Sequence, residues 1–286
     1  MSIVHEQTKE EIEPVDLRFS EAELDREVDR LVEFVGREVE AAGTEGALVA
    51  LSGGIDSTTT AHLAVEALGA DAVHGVLLPK EVNTETNMSD AEEVAQDLGI
   101  SYDIFEIDSI VEEILATYGS SDGSGGDGEE QWEGRYVGNT SARVRMTLNY
   151  LVANHGNKLV VGTGNRAELA TGYVTKFGDG GVDCNPLGNL YKQQVRQVGA
   201  HLGVGKDLVQ KTPTGGMIDY GTDEEEFGVE YDTLDAVLAL HVDGGVPAGA
   251  TARITDITEE DVERIVEMHE ESDHKRTPPT SPEPHF

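Results

Sequence analysis

The chain has 286 residues, with 56 Asp and Glu against 20 Lys and Arg, for a formal net charge of −36. That length is enough for one large domain or two small ones with a sizeable core. The charge argues against binding nucleic acid or an anionic membrane through the bulk surface, and a single cysteine, Cys184, excludes an intramolecular disulfide, a CxxC pair and a Cys-rich zinc site.

A hydrophobic fraction of 38% beside so much charge would suit a disordered acidic chain, but apolar residues recur at regular spacings. Residues 1–19 read as a loose acidic arm. They have neither the charged start nor the apolar stretch of a signal peptide, and no run approaches the length of a membrane span, so the expected location is cytoplasmic. Ser20 and Glu23 form a capping box. Leu24, Val28, Leu31, Val32, Val35 and Val39 follow at helical spacing and predict one amphipathic helix to about Ala42. Short apolar runs at Ala47 to Leu51, Ala72 to Leu78, Tyr102 to Ile107 and Lys158 to Val161 have strand length. Helical patterns occupy about 56–68, 89–98, 108–117 and 138–154. Strands alternating with helices predict an α/β fold with a doubly wound parallel sheet. The Gly- and Ser-rich stretch Gly119 to Gly134 reads as a surface excursion. Thr258 to Asp261 opens a last helix through about Glu271, and Thr277 to Phe286 reads as a tail. The expected organisation is an arm (1–19), one domain with a helical C-terminal extension (20–276) and a flexible tail (277–286).

The sharpest local feature is Leu51-Ser52-Gly53-Gly54-Ile55-Asp56-Ser57-Thr58, which follows a strand and opens a helix. Unsatisfied N–H groups and the positive end of the helix dipole make such a turn an anion cradle. Gly53 and Gly54 let the backbone approach closely, and Ser52, Ser57 and Thr58 carry hydroxyls. The string is neither GxxxxGK[ST] nor GxGxxG. Asp56 inside the cradle would repel a phosphate unless a divalent cation lies between them, which implies Mg²⁺.

This string resembles the signature of the PP-loop ATP pyrophosphatases, adenine nucleotide alpha hydrolase-like enzymes that adenylate a substrate. A second block, Gly162 to Arg196, together with Ser141 to Met146, Lys211 to Thr214 and His274 to Arg276, is similar to ammonia-dependent NAD synthetases. The resemblance implies the site. Ser52, Gly53, Gly54, Ile55, Asp56, Ser57 and Thr58 would hold the ATP triphosphate, and Thr163, Lys192 and Thr214 would also contact ATP. Asp56 and Glu168 would bind Mg²⁺. Arg143, Lys176, Asp179, Asp183, His274 and Lys275 would belong to the deamido-NAD site, which the family shares across a homodimer. Asp183, beside Cys184, is also well placed to be a structural cap. Lys192 and Asp56 would carry the catalysis.

The residues agree with that chemistry. Thr163 follows the fourth predicted strand, at the sheet edge where open α/β sheets bind ligands. Two carboxylates on one hard cation, bridged by phosphate oxygens, is ordinary Mg²⁺ chemistry. Lys192 could neutralise charge on a pyrophosphate leaving group. Nine of the twenty basic residues fall within 143–211, a local cationic pocket in an anionic shell. The expected reaction joins deamido-NAD and ammonia at the expense of ATP, giving NAD, AMP and pyrophosphate. A glutamine-using version would need a nucleophilic cysteine in an added amidase domain, so free ammonia is expected. The polar segment Gln210 to Tyr231 is a candidate lid. Another PP-loop adenylating ligase and a non-catalytic nucleotide-binding regulator remain the alternatives. The acidic surface resembles that of halophilic proteins.

Overall fold

In the structure, a computed structural model, residues 15–79, 85–121, 134–211, 224 and 227–282 are described. Four parallel strands, β1 (Ala47–Leu51), β2 (Val73–Leu77), β3 (Ser101–Ile104) and β4 (Leu159–Val161), form a sheet in the order β3-β2-β1-β4. The chain moves outward from β1 to β3, then returns to place β4 on the other side of β1. This reversal is the point at which doubly wound sheets gather ligands.

Alternating side chains face two helical layers, as the pleat requires. Ala47, Val49, Leu51, Val73, Leu77, Leu159 and Val161 share a core with α1 (Glu21–Ala42), α2 (Ile55–Leu68) and α3 (Glu85–Asp97). Leu48, Val76 and Val160 pack on the opposite side with α4 (Asp108–Ser121) and α5 (Gly134–Gly156). Burial on both faces is why β1, β2 and β4 read as apolar runs, whereas β3, at the sheet edge, is mostly exposed. The capping box of Ser20 and Glu23 starts α1, which ends where Gly43 takes a left-handed φ of 67°. Its buried stripe is Val28, Leu31, Val35 and Val39.

The C-terminal half adds α6 (Arg166–Thr171), α7 (Lys192–His201) and α8 (Lys206–Gln210). Then come α9 (Tyr231–Val237), which continues as a π-helix over Leu238–Asp243, α10 (Ala248–Thr255), α11 (Glu259–Glu271) and α12 (Asp273–Arg276). Phe227, Tyr231, Leu234, Leu238, Val262 and Ile265 form a separate apolar cluster against Ala167, Ala170 and Tyr191. This cluster fixes α6 and α7 beside the first loop.

The structure departs from the sequence reading in several places. β3 ends at Ile104 rather than Ile107. Ile107 is apolar because it is buried with α4 and α5, not because it continues the strand. The last residues of the expected arm are docked on α7: the Gln197 side chain pairs with both backbone groups of Phe19, and Gln194 donates to the Leu17 carbonyl at 2.6 Å. Residues 1–14, most of the Gly119–Gly134 stretch (122–133) and the tail beyond residue 282 lie outside the described residues. Among the described residues, no helix is long and apolar enough to cross a membrane.

Gly46, just before β1, is a tight point. A Cβ there would sit 1.9 Å from the Ala72 carbonyl oxygen, a backbone atom that cannot swing aside. Gly46→Ala should therefore destabilise the fold by about 1–3 kcal/mol and lower the thermal midpoint by several degrees. A calorimetric scan matching the parent would contradict this packing.

Candidate functional site

The loop after β1 turns on Gly53, whose φ of 71° is left-handed, and α2 begins at Ile55. Its hydroxyls brace the turn. The Ser57 and Thr58 hydroxyls donate to the Gly54 carbonyl at 3.1 and 2.8 Å, and the Ser52 N–H donates to Ser57 Oγ at 3.2 Å. Lys211 Nζ donates to the Gly53 carbonyl at 3.0 Å and reaches Asp90 Oδ2 at 2.5 Å, tying the loop to α3. Ile55 is buried in the core, so only its backbone can face a ligand.

Asp56, in the first turn of α2, meets residues from two distant segments. Lys192, at the start of α7, places its Nζ 2.6 Å from Asp56 Oδ2 and 3.8 Å from Glu168 Oε1. The lysine is only 1% exposed, so its charge is carried by these carboxylates and by the Tyr231 ring, whose centroid lies 5.0 Å from Nζ. Asn165 completes the arrangement. Its Nδ2 donates to Asp56 Oδ1 at 3.0 Å, while its Oδ1 accepts the Glu168 N–H at 3.1 Å and caps α6. Glu168 Oε2 in turn accepts the Asn165 N–H at 3.1 Å. One amide therefore sets the spacing of both acids. Thr163 follows β4, which pairs with β1 in register Val49↔Val161, so it stands at the same sheet edge as the loop.

A second constellation surrounds residues 172–181. Arg143 Nε donates to the Lys176 carbonyl at 3.3 Å, and Lys176 Nζ donates to the His274 carbonyl. Lys275 Nζ donates to the carbonyls of Gly172 and Val174 at 2.6 and 2.9 Å. Asp179 Oδ1 accepts the Thr175 N–H at 2.8 Å. Five of the six residues expected at the dinucleotide site are thus brought together. Asp183 stands apart, with one oxygen accepting the Val160 N–H at 2.8 Å and the other the Tyr150 hydroxyl at 2.9 Å. It acts here as a cap on β4. Thr214 lies outside the described residues, as does most of the Gln210–Tyr231 segment. Where that segment is described again, Phe227 and Tyr231 are buried, while Gly228 and Glu230 are exposed.

Asn165, Tyr231 and Asp235 were missed from sequence. Asn165 had a local signal, the N-x-x-E capping pattern at 165–168, whereas Tyr231 and Asp235 had none. Burial pushes the Asp235 carboxyl up to about 7. The Lys192 N–H, at 2.9 Å from Oδ2, opposes that rise, and the charge on Asp232 adds to it. A carboxyl whose folded value exceeds its unfolded value of about 4 stabilises the fold fully below that lower value. The contribution is lost as pH rises through about 7. Asp235→Asn carries no such charge, so its stability should rise relative to the parent from pH 4 to 7 and then level off. Parallel pH–stability curves would refute this.

Cys184 is buried in the sheet core, and burial raises its thiol pKa to about 12, with Glu38 and Asp183 contributing. It is no nucleophile. Among the described residues no group of three His, Cys, Asp or Glu could hold a metal ion. Asp56 and Glu168 alone suit a hard cation that completes its shell with phosphate oxygens and water.

Comparison with known proteins adds four likenesses. The family model described as NAD synthase matches residues 27–279. The NH3-dependent NAD+ synthetase of Halobacterium salinarum is 52% identical over 271 residues, covering 95% of this chain and 98% of that one. Among solved structures, NMN synthetase from Francisella tularensis has a TM-score of 0.77 at 33% identity, covering 92% of this chain and 99% of that chain. NH3-dependent NAD synthetase from Campylobacter jejuni has a TM-score of 0.73 at 25% identity, covering 91% and 99%.

Proposed function

Because the chain belongs to the NAD synthase family, we propose that it uses ATP to amidate deamido-NAD with ammonia, releasing NAD, AMP and pyrophosphate. The observation that carries this reading is the sharing of one buried ammonium, Lys192, between acids from two separate segments at the mouth of a phosphate loop. In the first step the nicotinate carboxylate attacks the α-phosphorus of ATP and the bond to pyrophosphate breaks. The loop N–H groups and Lys192 stabilise the negative charge that gathers on the departing oxygens. Ammonia then attacks the acyl carbon, AMP leaves and a proton is lost. Asp56 and Glu168 would hold Mg²⁺, which when bound neutralises the triphosphate for in-line attack. Thr163 and Thr214 would add contacts to ATP. The Arg143, Lys176, Asp179, His274 and Lys275 group would receive the dinucleotide, with Asp183 supporting it from beside β4. The inert Cys184 favours free ammonia over internal glutamine hydrolysis.

The active form is a homodimer of a cytoplasmic enzyme. The exposed Ile110, Ile114, Tyr118, Tyr136 and Leu151 on α4 and α5 provide an apolar face for a second copy. Sedimentation in a salt series reads this directly, and a monomer at every salt concentration would rule it out.

The reaction itself is tested by supplying ATP, Mg²⁺, ammonium and deamido-NAD. NAD, AMP and pyrophosphate should appear in equal amounts, while ADP or no turnover would overturn the reading. The likeness to NMN synthetase favours a second reading, amidation of the corresponding mononucleotide. The same assay with deamido-NMN separates the two by the ratio of kcat/KM values.

A further inference from the structure

The helix that presents Lys192 caps itself only in part, through the Gln194 side chain, which accepts the Tyr191 N–H at 3.0 Å. Tyr191 occupies the N-cap position of α7, but its side chain makes no cap bond there, and its hydroxyl instead donates to Asp243 at 2.5 Å. The acceptor for the next N–H groups of that first turn comes from α9. Asp235 Oδ2 accepts the Lys192 N–H at 2.9 Å, and the Gln193 N–H is directed to the same carboxylate. One turn earlier on α9, the Tyr231 ring covers the Lys192 ammonium. Between these two, Asp232 accepts from the Gln193 side chain.

Asp235 is costly where it stands. It is 1% exposed among Leu234, Val237 and Leu238, and its Oδ1 has no hydrogen-bond partner among the described residues. A buried polar atom left unpaired is selected against unless it serves some purpose. Space-filling alone would be met by leucine, as at the neighbouring positions. The one thing the carboxylate does is hold the first turn of α7 from outside, and that turn aims Lys192 between Asp56 and Glu168.

We propose that Asp235, acting with Tyr231, is a positioning residue for Lys192, so that α9 grips the lysine at both its peptide N–H and its ammonium. The proposal rests on the reading of Lys192 as the group that stabilises the leaving pyrophosphate. Displacing a catalytic group by about 1 Å can cost on the order of 10²-fold in rate.

Asp235→Ala and Asp235→Asn are compared with the parent in the NAD-forming assay, with rates normalised to folded protein by calorimetry. Asp235→Ala should lower kcat by about 10- to 100-fold with little change in KM for ATP or deamido-NAD. Asp235→Asn keeps an acceptor oxygen and should restore most of that loss. If Asp235→Ala does not fold, Asp235→Ser takes its place, because its hydroxyl is too short to reach the Lys192 N–H. Full kcat per folded molecule in the truncated variant, a loss confined to KM, or an equal loss in Asp235→Asn would overturn the proposal. A parent enzyme that makes no NAD would instead sink the functional reading itself.

Discussion

Asp56→Asn is expected to abolish AMP and pyrophosphate formation, with kcat falling by about 10³-fold or more, while far-UV circular dichroism stays that of the parent. The amide fits the same space at the start of α2 but cannot supply the charge that Asp56 shares with Lys192 at 2.6 Å. Glu168, at 3.8 Å, is left as the carboxylate facing an almost fully buried ammonium. Whichever way the new amide is turned, its nitrogen faces a donor, either Asn165 Nδ2 or Lys192 Nζ, where Asp56 accepted from both. Removing one partner of a partly buried pair destabilises a fold by up to a few kcal/mol, so rates are normalised to folded protein. Pyrophosphate release at a tenth of the parent rate or better would show that the acid is dispensable.

Lys192→Met should lower kcat by about 10²- to 10³-fold and should also change how the protein responds to magnesium. In the parent, the ammonium occupies the space between the two acids, so an added cation must displace it. In Lys192→Met the two carboxylates face each other with no ammonium to neutralise them. Magnesium without nucleotide should then raise the thermal midpoint more in Lys192→Met than in the parent, because ligand binding to the folded state alone adds stability. Equal shifts in the two proteins would mean that Asp56 and Glu168 do not share a cation.

What the sequence made legible was local. The strand–loop–helix unit at 47–68 and the caps of Ser20 and Thr258 rest on residues within a few positions of one another, and the structure has them as read. The doubly wound sheet followed from spacing, since strands buried on both faces need helices between them. The roles of Tyr231 and Asp235 were not legible, because each depends on a contact some 40 residues away with no periodic trace. Asp183 shows the opposite difficulty. It sits inside a block with a strong resemblance, yet its oxygens serve Val160 and Tyr150. Motif membership named the neighbourhood, but only packing could assign the bond.

The pairing of Asp56 with Lys192 spans 136 positions of the chain, and the helix that steadies Lys192 is made later still. During translation the glycine turn leaves the ribosome long before its ammonium partner exists. A chain that ends before α7 therefore carries the glycine turn without the ammonium that neutralises its acid.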